Sequence, residues 1–425
     1  MPPIRFIHAA DLHLDAAFSG LSRDIPADFA ERLRTATFTA FRRLLDLCER
    51  ESPDFLLLAG DVYNQEDASV SAQLALRDGF RRLESLSIPV FLVHGNHDPL
   101  ASRLRSVRWP GNVTVFGELP DAVPVFRKGE GTPLAIIHGA SHASGRETRN
   151  LAALFRRTEA CGLHVGLLHA TPGDADGVAR YAPFSQEDLK ASGMDYWALG
   201  HIHDRREVCR EPLAAYPGCT QGLHINEPGE KGCLLVTAEA RTDGGYAVRT
   251  SFRPLGPAVW KTLDMDLGGA ASLDELENRL RTGLDRAAAE VWSGCEMLLV
   301  RLRLQGRPEL DGLLRKGTTC AELADRLRED GNGVPRIWIK DIDVATRPCV
   351  ERGALLERED LLGEVFRLSE AARTASGLQA LREGPLAPLF AHARAGKALE
   401  PLTDEELARL LDDAESLCLD LLEND

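Results

Sequence analysis

The sequence predicts an α/β fold in which a two-sheet core is sandwiched by helices, followed by a small α+β capping domain and a helical C-terminal region. Three observations predict it. Short apolar runs alternate with longer stretches of helical periodicity through the first half of the chain, and Phe55-Leu56-Leu57-Leu58-Ala59 is apolar at every position, as a strand covered on both faces must be. Further β-type runs crowd residues 132–252, enough to complete a second sheet. From residue 350 onward the pattern is helical, with no internal repeat and no low-complexity tract.

Taken in order, Ile4 to Ala10 reads as a strand, Ala27 to Arg50 as a helix, and Phe55 to Ala59 as the second strand. A helix near Ser69 to Leu86 and the strand Val90 to Val93 follow. The later strands are Leu134 to Ile137, Val165 to Leu168, Tyr196 to Leu199, Leu234 to Thr237 and Tyr246 to Phe252. Pro254-Leu255-Gly256-Pro257 is breaker chemistry and sets a boundary, so residues 1–255 form the first domain. Residues 256–348 form the small α+β domain. It has strands at Thr262 to Leu267, Met297 to Leu304 and Arg336 to Ile339, and helices at Ser272 to Val291, Glu309 to Arg315 and Cys320 to Arg328. Residues 349–425 form the helical region. In its last helix, Thr403 to Leu422, Leu407, Leu410, Leu411, Ala414, Leu417, Cys418, Leu421 and Leu422 share one face. That face either packs on its own domain or receives a partner.

A length of 425 residues exceeds what one hydrophobic core usually serves. The net charge of −15 argues against nucleic-acid binding through bulk charge, but it is unevenly spread. Residues 400–425 hold ten acidic side chains and only Arg409 as a cation, which leaves room for a basic patch elsewhere. Arg103, Arg105 and Arg108 are candidates for one, or for an ordinary solvated helix face; the neighbouring Trp109 is read as core packing. Nine cysteines without a Cys-x-x-Cys pair indicate neither a disulfide framework nor a zinc finger. The N-terminus enters a strand directly, and no apolar run approaches the roughly 20 residues of a membrane span. The expected compartment is the cytoplasm.

The chemistry gathers where the strands end. Asp11-Leu12-His13 follows the first strand, Gly60-Asp61 the second, and Gly95-Asn96-His97-Asp98 the third; His169 ends a fourth, and Gly200-His201-Ile202-His203 follows a fifth. Ligands of open α/β sheets collect at the carboxyl ends of strands, so five unrelated segments should converge. Asp, Asn and His supply the oxygen and nitrogen ligands that manganese, iron or zinc accept. Glycines 60, 95 and 200 allow sharp turns and close approach. Two metals about 3.5 to 4 Å apart would polarise a phosphodiester and clamp its attacking and leaving oxygens. A lone Gly-Asp or His would mean little, but five such elements in series point to a metal site. Eleven of the twelve histidines precede residue 225.

These motifs resemble the calcineurin-like metallophosphoesterases, specifically the SbcD and YhaO branch of DNA repair exonuclease subunits. The branch is indicated by Ile7-His8-Ala9-Ala10-Asp11-Leu12-His13-Leu14-Asp15, by Gly60-Asp61-Val62-Tyr63, by Pro89 to Asp98, and by the strand Val300-Arg301-Leu302-Arg303-Leu304. The resemblance implies that Asp11, His13, Asp61 and His203 hold one metal, and that Asp61 bridges to a second held by Asn96, His169 and His201. It implies two divalent ions, Mn2+ foremost, and His97 as the residue that stabilises the transition state or protonates the leaving 3′ oxygen. The implied partners are double-stranded DNA ends and a coiled-coil ATPase of the SbcC or YhaN type, docked on the C-terminal helices; dimerisation stays open. One departure is Asn64, where some nucleases of the family carry a histidine.

Other residues admit plainer readings. His8 and His94 are read as packed histidines, and His138 and His142 either line a substrate groove or satisfy a turn. Asp98 orients His97 or is a loop carboxylate. Two rival functions remain, a small-molecule phosphodiesterase or phosphatase and a non-catalytic adaptor of the ATPase. The long C-terminal region argues against the first and the intact ligand set against the second.

Overall fold

The computed structural model describes residues 2–21, 25–64, 69–101, 107–173, 180–242, 244–329, 333–347, 352–391 and 402–422. Arg103 and Arg105 lie outside the described residues, whereas Arg108 is exposed. The strands in chain order are β1 (Ile4–Ala9), β2 (Phe55–Ala59), β3 (Val90–Val93), β4 (Val113–Val115), β5 (Asp121–Val125), β6 (Ala135–Ala140), β7 (Leu163–His169), β8 (Tyr196–Gly200), β9 (Arg206–Arg210), β10 (Leu213–Tyr216), β11 (Gly232–Ala240), β12 (Tyr246–Pro254), β13 (Ala258–Asp266), β14 (Met297–Gln305) and β15 (Arg336–Val344). One six-stranded sheet has the order β12-β11-β1-β2-β3-β4, a second β5-β6-β7-β8-β10-β9, and a third, three-stranded and all parallel, β13-β14-β15.

The residue-by-residue apolarity of the central strands follows from their burial on both faces. Leu56 and Leu58 of β2, with Ile7, Val90 and Leu92, meet Phe41, Leu44 and Cys48 of the helix Ala36–Glu51 and Leu76, Phe80 and Leu83 of the helix Val70–Ser85. Phe55, Leu57 and Ala59 of the same strand point the other way, against Ile137, Val165, Leu167 and Tyr196 of the second sheet. That sheet buries Leu168, Trp197 and Leu199 on its outer face with Phe155, Leu189 and Met194. Helix, sheet, sheet and helix thus form layers, and β1, β2 and β3 run parallel to one another, as do β7 and β8. Their carboxyl ends supply the residues of the candidate site.

Two compact units result. The larger comprises Met1–Asp266, Leu273–Gln305 and Leu314–Ala345; the smaller comprises Leu267–Ser272, Gly306–Leu313 and Thr346–Asp425. Within the larger, Trp260, Met297, Leu299 and Trp338 of the third sheet pack on Phe29 and Leu33. Trp109 stacks edge-on to Phe80, with ring centroids 5.4 Å apart, in keeping with a packing role. Among the described residues no helix is long and apolar enough to cross a membrane.

Three local expectations change. The helix over Ala27 to Arg50 divides at Thr35, whose hydroxyl donates to the Glu31 and Arg32 carbonyls and so competes with the helix's own hydrogen bonds. The β9–β10 pair escapes prediction because Arg206-Glu207-Val208-Cys209-Arg210 is an edge strand with little apolar signal. In the last helix, Asp404–Leu422, Leu407 and Leu419 are buried, but Leu410, Leu417, Leu421 and Leu422 are exposed. The helix turns a face spaced by four residues inward, and Glu415 on that face pairs with Arg352 and Arg373.

Two core histidines make the fold acid-sensitive. His8 lies wholly buried with its ring nitrogens on the Tyr196 hydroxyl and the Leu199 carbonyl, and burial pushes it down to about 3 against the pull of that carbonyl. His138 sits 3.0 Å from the Nδ1 of His164, and burial, with His164 adding to it, pushes it down to about 4. Both rings titrate near 6.5 once unfolded, so below that pH the unfolded chain binds more protons. Their contribution is complete above pH 6.5 and is lost as the pH falls towards the folded values. Urea unfolding between pH 6.5 and 4.5 should show a loss of about 2 kcal/mol per histidine. His138→Gln should remove about that much of the slope; an unchanged slope would mean that the His138 ring is already charged in the fold.

Candidate metal centre

The site is assembled from backbone bent sharply at strand ends. Asp11, His13, Asp61 and His201 all have positive φ, at 51°, 39°, 51° and 100°, a region that side-chain-bearing residues enter only when their surroundings hold them there. The N–H of Asp11 donates to the Gly60 carbonyl at 3.1 Å and that of His13 to the Asp61 carbonyl at 3.0 Å, which locks the first two loops together. Asp98, fully buried, accepts from the N–H groups of Asp61 (3.2 Å), Val62 (3.1 Å) and Gly95 (2.6 Å). It therefore ties the second loop to the third, and its described hydrogen bonds go to main chain, with the His94 ring rather than the His97 ring beside it at 3.2 Å. Asp11 accepts from the His201 N–H at 3.1 and 3.0 Å, which brings in the fifth segment.

The side chains then converge in two groups. Ligand atoms of Asp11, His13 and His203 lie within 4.8 Å of one another, and so do those of Asp61, His169 and His201. Asp61 faces both: its Oδ2 is 3.3 Å from His169 Nε2 and 4.0 Å from His13 Nε2. Asn96 places Oδ1 3.0 Å from His169 Nε2. His97 is exposed at the rim, its N–H donating to Asp61 Oδ1 at 2.9 Å and its ring centroid 5.2 Å from that of His13.

Outer hydrogen bonds fix which nitrogen each ring turns inward. His13 gives Nδ1 to the amide oxygen of Asn64 (2.7 Å), His203 gives Nδ1 to Glu227 (2.6 Å), and His169 gives Nδ1 to the Ala59 carbonyl (2.9 Å). With those protons facing outward, the inward Nε2 atoms are the positions that a cation or a second proton can take. Those of His13 and His203 are only 3.1 Å apart, and that of His169 meets the oxygens of Asn96 and Asp61. Imidazole nitrogens, carboxylate oxygens and an amide oxygen that converge this closely fit cations. The donor set is nitrogen and oxygen in both groups, suited to hard or borderline divalent ions.

Proton affinities reflect the same crowding. Burial pushes the Asp11 carboxyl up to about 6; His169 and His203 pull against it and the Asp61 carboxylate adds to it. Burial lowers His169, yet the adjacent Asp61 carboxylate overrides it and holds the ring at about 9.

Several contributors carry no signal in the sequence pattern. Glu227 is held down to about 2, because although burial raises it, the hydrogen bond and charge of His203 lower it further. Lys231, nearly buried, donates to the His203 carbonyl at 3.0 Å and pairs with Asp204 at 2.9 Å. His142 lies behind the site with Nε2 2.6 Å from the His169 carbonyl, so it supports a strand end rather than lining a groove. His94 is packed, 3.2 Å from Asp98, and His8 and His138 belong to the core.

The family model for calcineurin-like phosphoesterases matches residues 4–205, and that for the middle domain of metallophosphoesterase YhaO matches residues 260–347. An uncharacterized metallophosphoesterase YhaO of Bacillus subtilis (strain 168) is 34% identical over 387 residues, covering 90% of this chain and 91% of the relative. The DNA double-strand break repair protein Mre11 of Aeropyrum pernix is 27% identical over 319 residues, 68% of this chain and 69% of its own. The Mre11 of Sulfurisphaera tokodaii is 26% identical over 216 residues, 48% and 50% of the two chains. A fold that carries a divalent dimetal site, two ligand groups at its strand ends and a YhaO-type middle domain agree, and the chain belongs to the calcineurin-like metallophosphoesterases, in the group of YhaO.

Proposed function

We propose that this metallophosphoesterase is a manganese-dependent DNA exonuclease subunit that acts on double-stranded ends in repair, together with a coiled-coil ATPase. Residues 1–255 form the nuclease domain, 256–348 the cap, and 349–425 the region that docks the ATPase. The observation that carries the reading is the convergence of inward Nε2 atoms and carboxylate oxygens at the ends of β1, β2, β3, β7 and β8. Similarity to two Mre11 proteins, whose names place them in double-strand break repair, supports DNA as the substrate.

Asp11, His13, Asp61 and His203 would hold one ion, with Asp61 shared and Asn96, His169 and His201 completing the second. Such ions supply Lewis acidity towards the phosphoryl oxygens and activation of water at neutral pH. Asp98 and Asn64 keep the ligands in register, as the hydrogen bonds above require. His97, exposed at the rim beside His13, stands where a scissile phosphate would enter, and it gives a proton to the leaving 3′ oxygen or stabilises charge there.

Digestion of end-labelled linear duplex DNA should require Mn2+, stop with EDTA, and fall by about 100-fold or more in His97→Ala. Turnover of a small phosphodiester by the same preparation, with the duplex left intact, would replace the nuclease by a small-substrate enzyme.

A further inference from the structure

Three imidazoles of the site are turned by three different partners, and only one of these is charged. His13 leans on the Asn64 amide and His169 on a main-chain carbonyl, but His203 leans on the Glu227 carboxylate. Glu227 belongs to the loop between β10 and β11, and its second oxygen accepts the Leu223 N–H at 2.7 Å, so its rotamer is fixed from its own loop. The loop is in turn fastened to β13. Gln221 exchanges hydrogen bonds of 2.8 and 3.1 Å with Ala258, Trp260 Nε1 donates to the Gly222 carbonyl at 3.1 Å, and the Gly229 N–H donates to the Trp260 carbonyl at 2.9 Å. At the loop's far end Lys231 holds the His203 carbonyl. One rigidly anchored loop therefore grips His203 by both its ring and its main chain.

We infer that Glu227 is a positioning residue for the metal site, fixing the His203 ring with Nε2 inward and strengthening it as a donor through the carboxylate's charge. A carboxylate behind a ligating imidazole sets tautomer and orientation and raises ligand basicity, and its removal typically costs about 10- to 100-fold in metal affinity. The group formed by Asp11, His13 and His203 is thus the one whose affinity depends on Glu227. The group formed by Asp61, His169 and His201, backed by Ala59, does not share that dependence.

This inference rests on the two-metal reading, and calorimetric titration of the metal-free protein with Mn2+ separates the two. Wild type should show two binding events. Glu227→Ala should weaken one by about 10- to 100-fold and leave the other within about threefold. Glu227→Gln, which keeps an acceptor for Nδ1–H but not the charge, should fall between. Thermal unfolding of the metal-free variants accompanies the titrations. Wild type taking up no Mn2+ would overturn the two-metal reading itself. Wild-type binding matched by both variants would overturn the inference alone. So would an equal loss in both events together with a lowered melting temperature of both metal-free variants, since Glu227 would then be a general structural support.

Discussion

Asp61→Asn should lower phosphodiester hydrolysis by about 10⁴-fold, roughly 5.5 kcal/mol of transition-state stabilisation, and should weaken Mn2+ binding at both ligand groups. The size follows from where the two oxygens point. Oδ2 faces His169 at 3.3 Å and His13 at 4.0 Å, so one atom serves both groups, while Oδ1 accepts the His97 N–H at 2.9 Å and thereby locates the loop of the proposed acid. Asparagine keeps the shape but removes the charge, and in one orientation it presents an NH2 where an acceptor is required. Steady-state rates and metal content measured on the same preparation check the expectation. Activity within tenfold of wild type would show that the two groups do not act together on the phosphate.

How much of this was legible in the sequence depended on how locally each residue's role is set. Asp11, His13, Asp61, Asn96, His169, His201 and His203 each stand at the end of an apolar run, and both the strand and its polar terminus lie within a few residues of one another. The strand between two layers was equally plain, because β2 must be apolar at every position to face helices on one side and a sheet on the other. Glu227 was not legible. It lies 24 residues beyond His203 in a loop without periodicity, and only the long-range bonds of that loop to β13 bring it to the imidazole. Asp98 was visible as a residue but not as a role. A carboxylate beside His97 invites a hydrogen bond to that ring, yet full burial directs it to three main-chain N–H groups that would otherwise lack partners. Asn64, the apparent departure, accepts from His13 Nδ1 and so fills a positioning role that an amide oxygen performs without any proton transfer. The last helix was legible as a helix but not in which of its residues turn inward: Leu407 and Leu419 are buried while Leu410, Leu417, Leu421 and Leu422 stay exposed, and ion pairs with Arg352 and Arg373 draw the acidic Glu415 inward.

Gly200→Ala should destabilise the fold by about 3 kcal/mol or more, the upper part of the range for overpacking, and should reduce activity with it. The added methyl would overlap the Ala59 carbonyl oxygen, a main-chain atom of the neighbouring sheet, and only relative movement of β8 and β2 can relieve that overlap. Neither strand is free to move. Ala59 is buried at the end of β2 and its carbonyl accepts His169 Nδ1 at 2.9 Å, while Gly200 is paired in register with His169 itself. Any separation therefore pulls on His169, the proposed ligand that joins the two sheets, and stability and metal binding should fall together in urea unfolding and Mn2+ titration. Gly95→Ala provides the contrast, because its methyl would meet the Asp61 carboxylate and the His169 ring rather than the main chain of a neighbouring strand. That variant should lose metal affinity with a smaller loss of stability. If Gly200→Ala unfolded at the same urea concentration as wild type, β2 and β8 could not approach as closely as the His169 bond to Ala59 requires, and the geometry of the second ligand group would have to be redrawn.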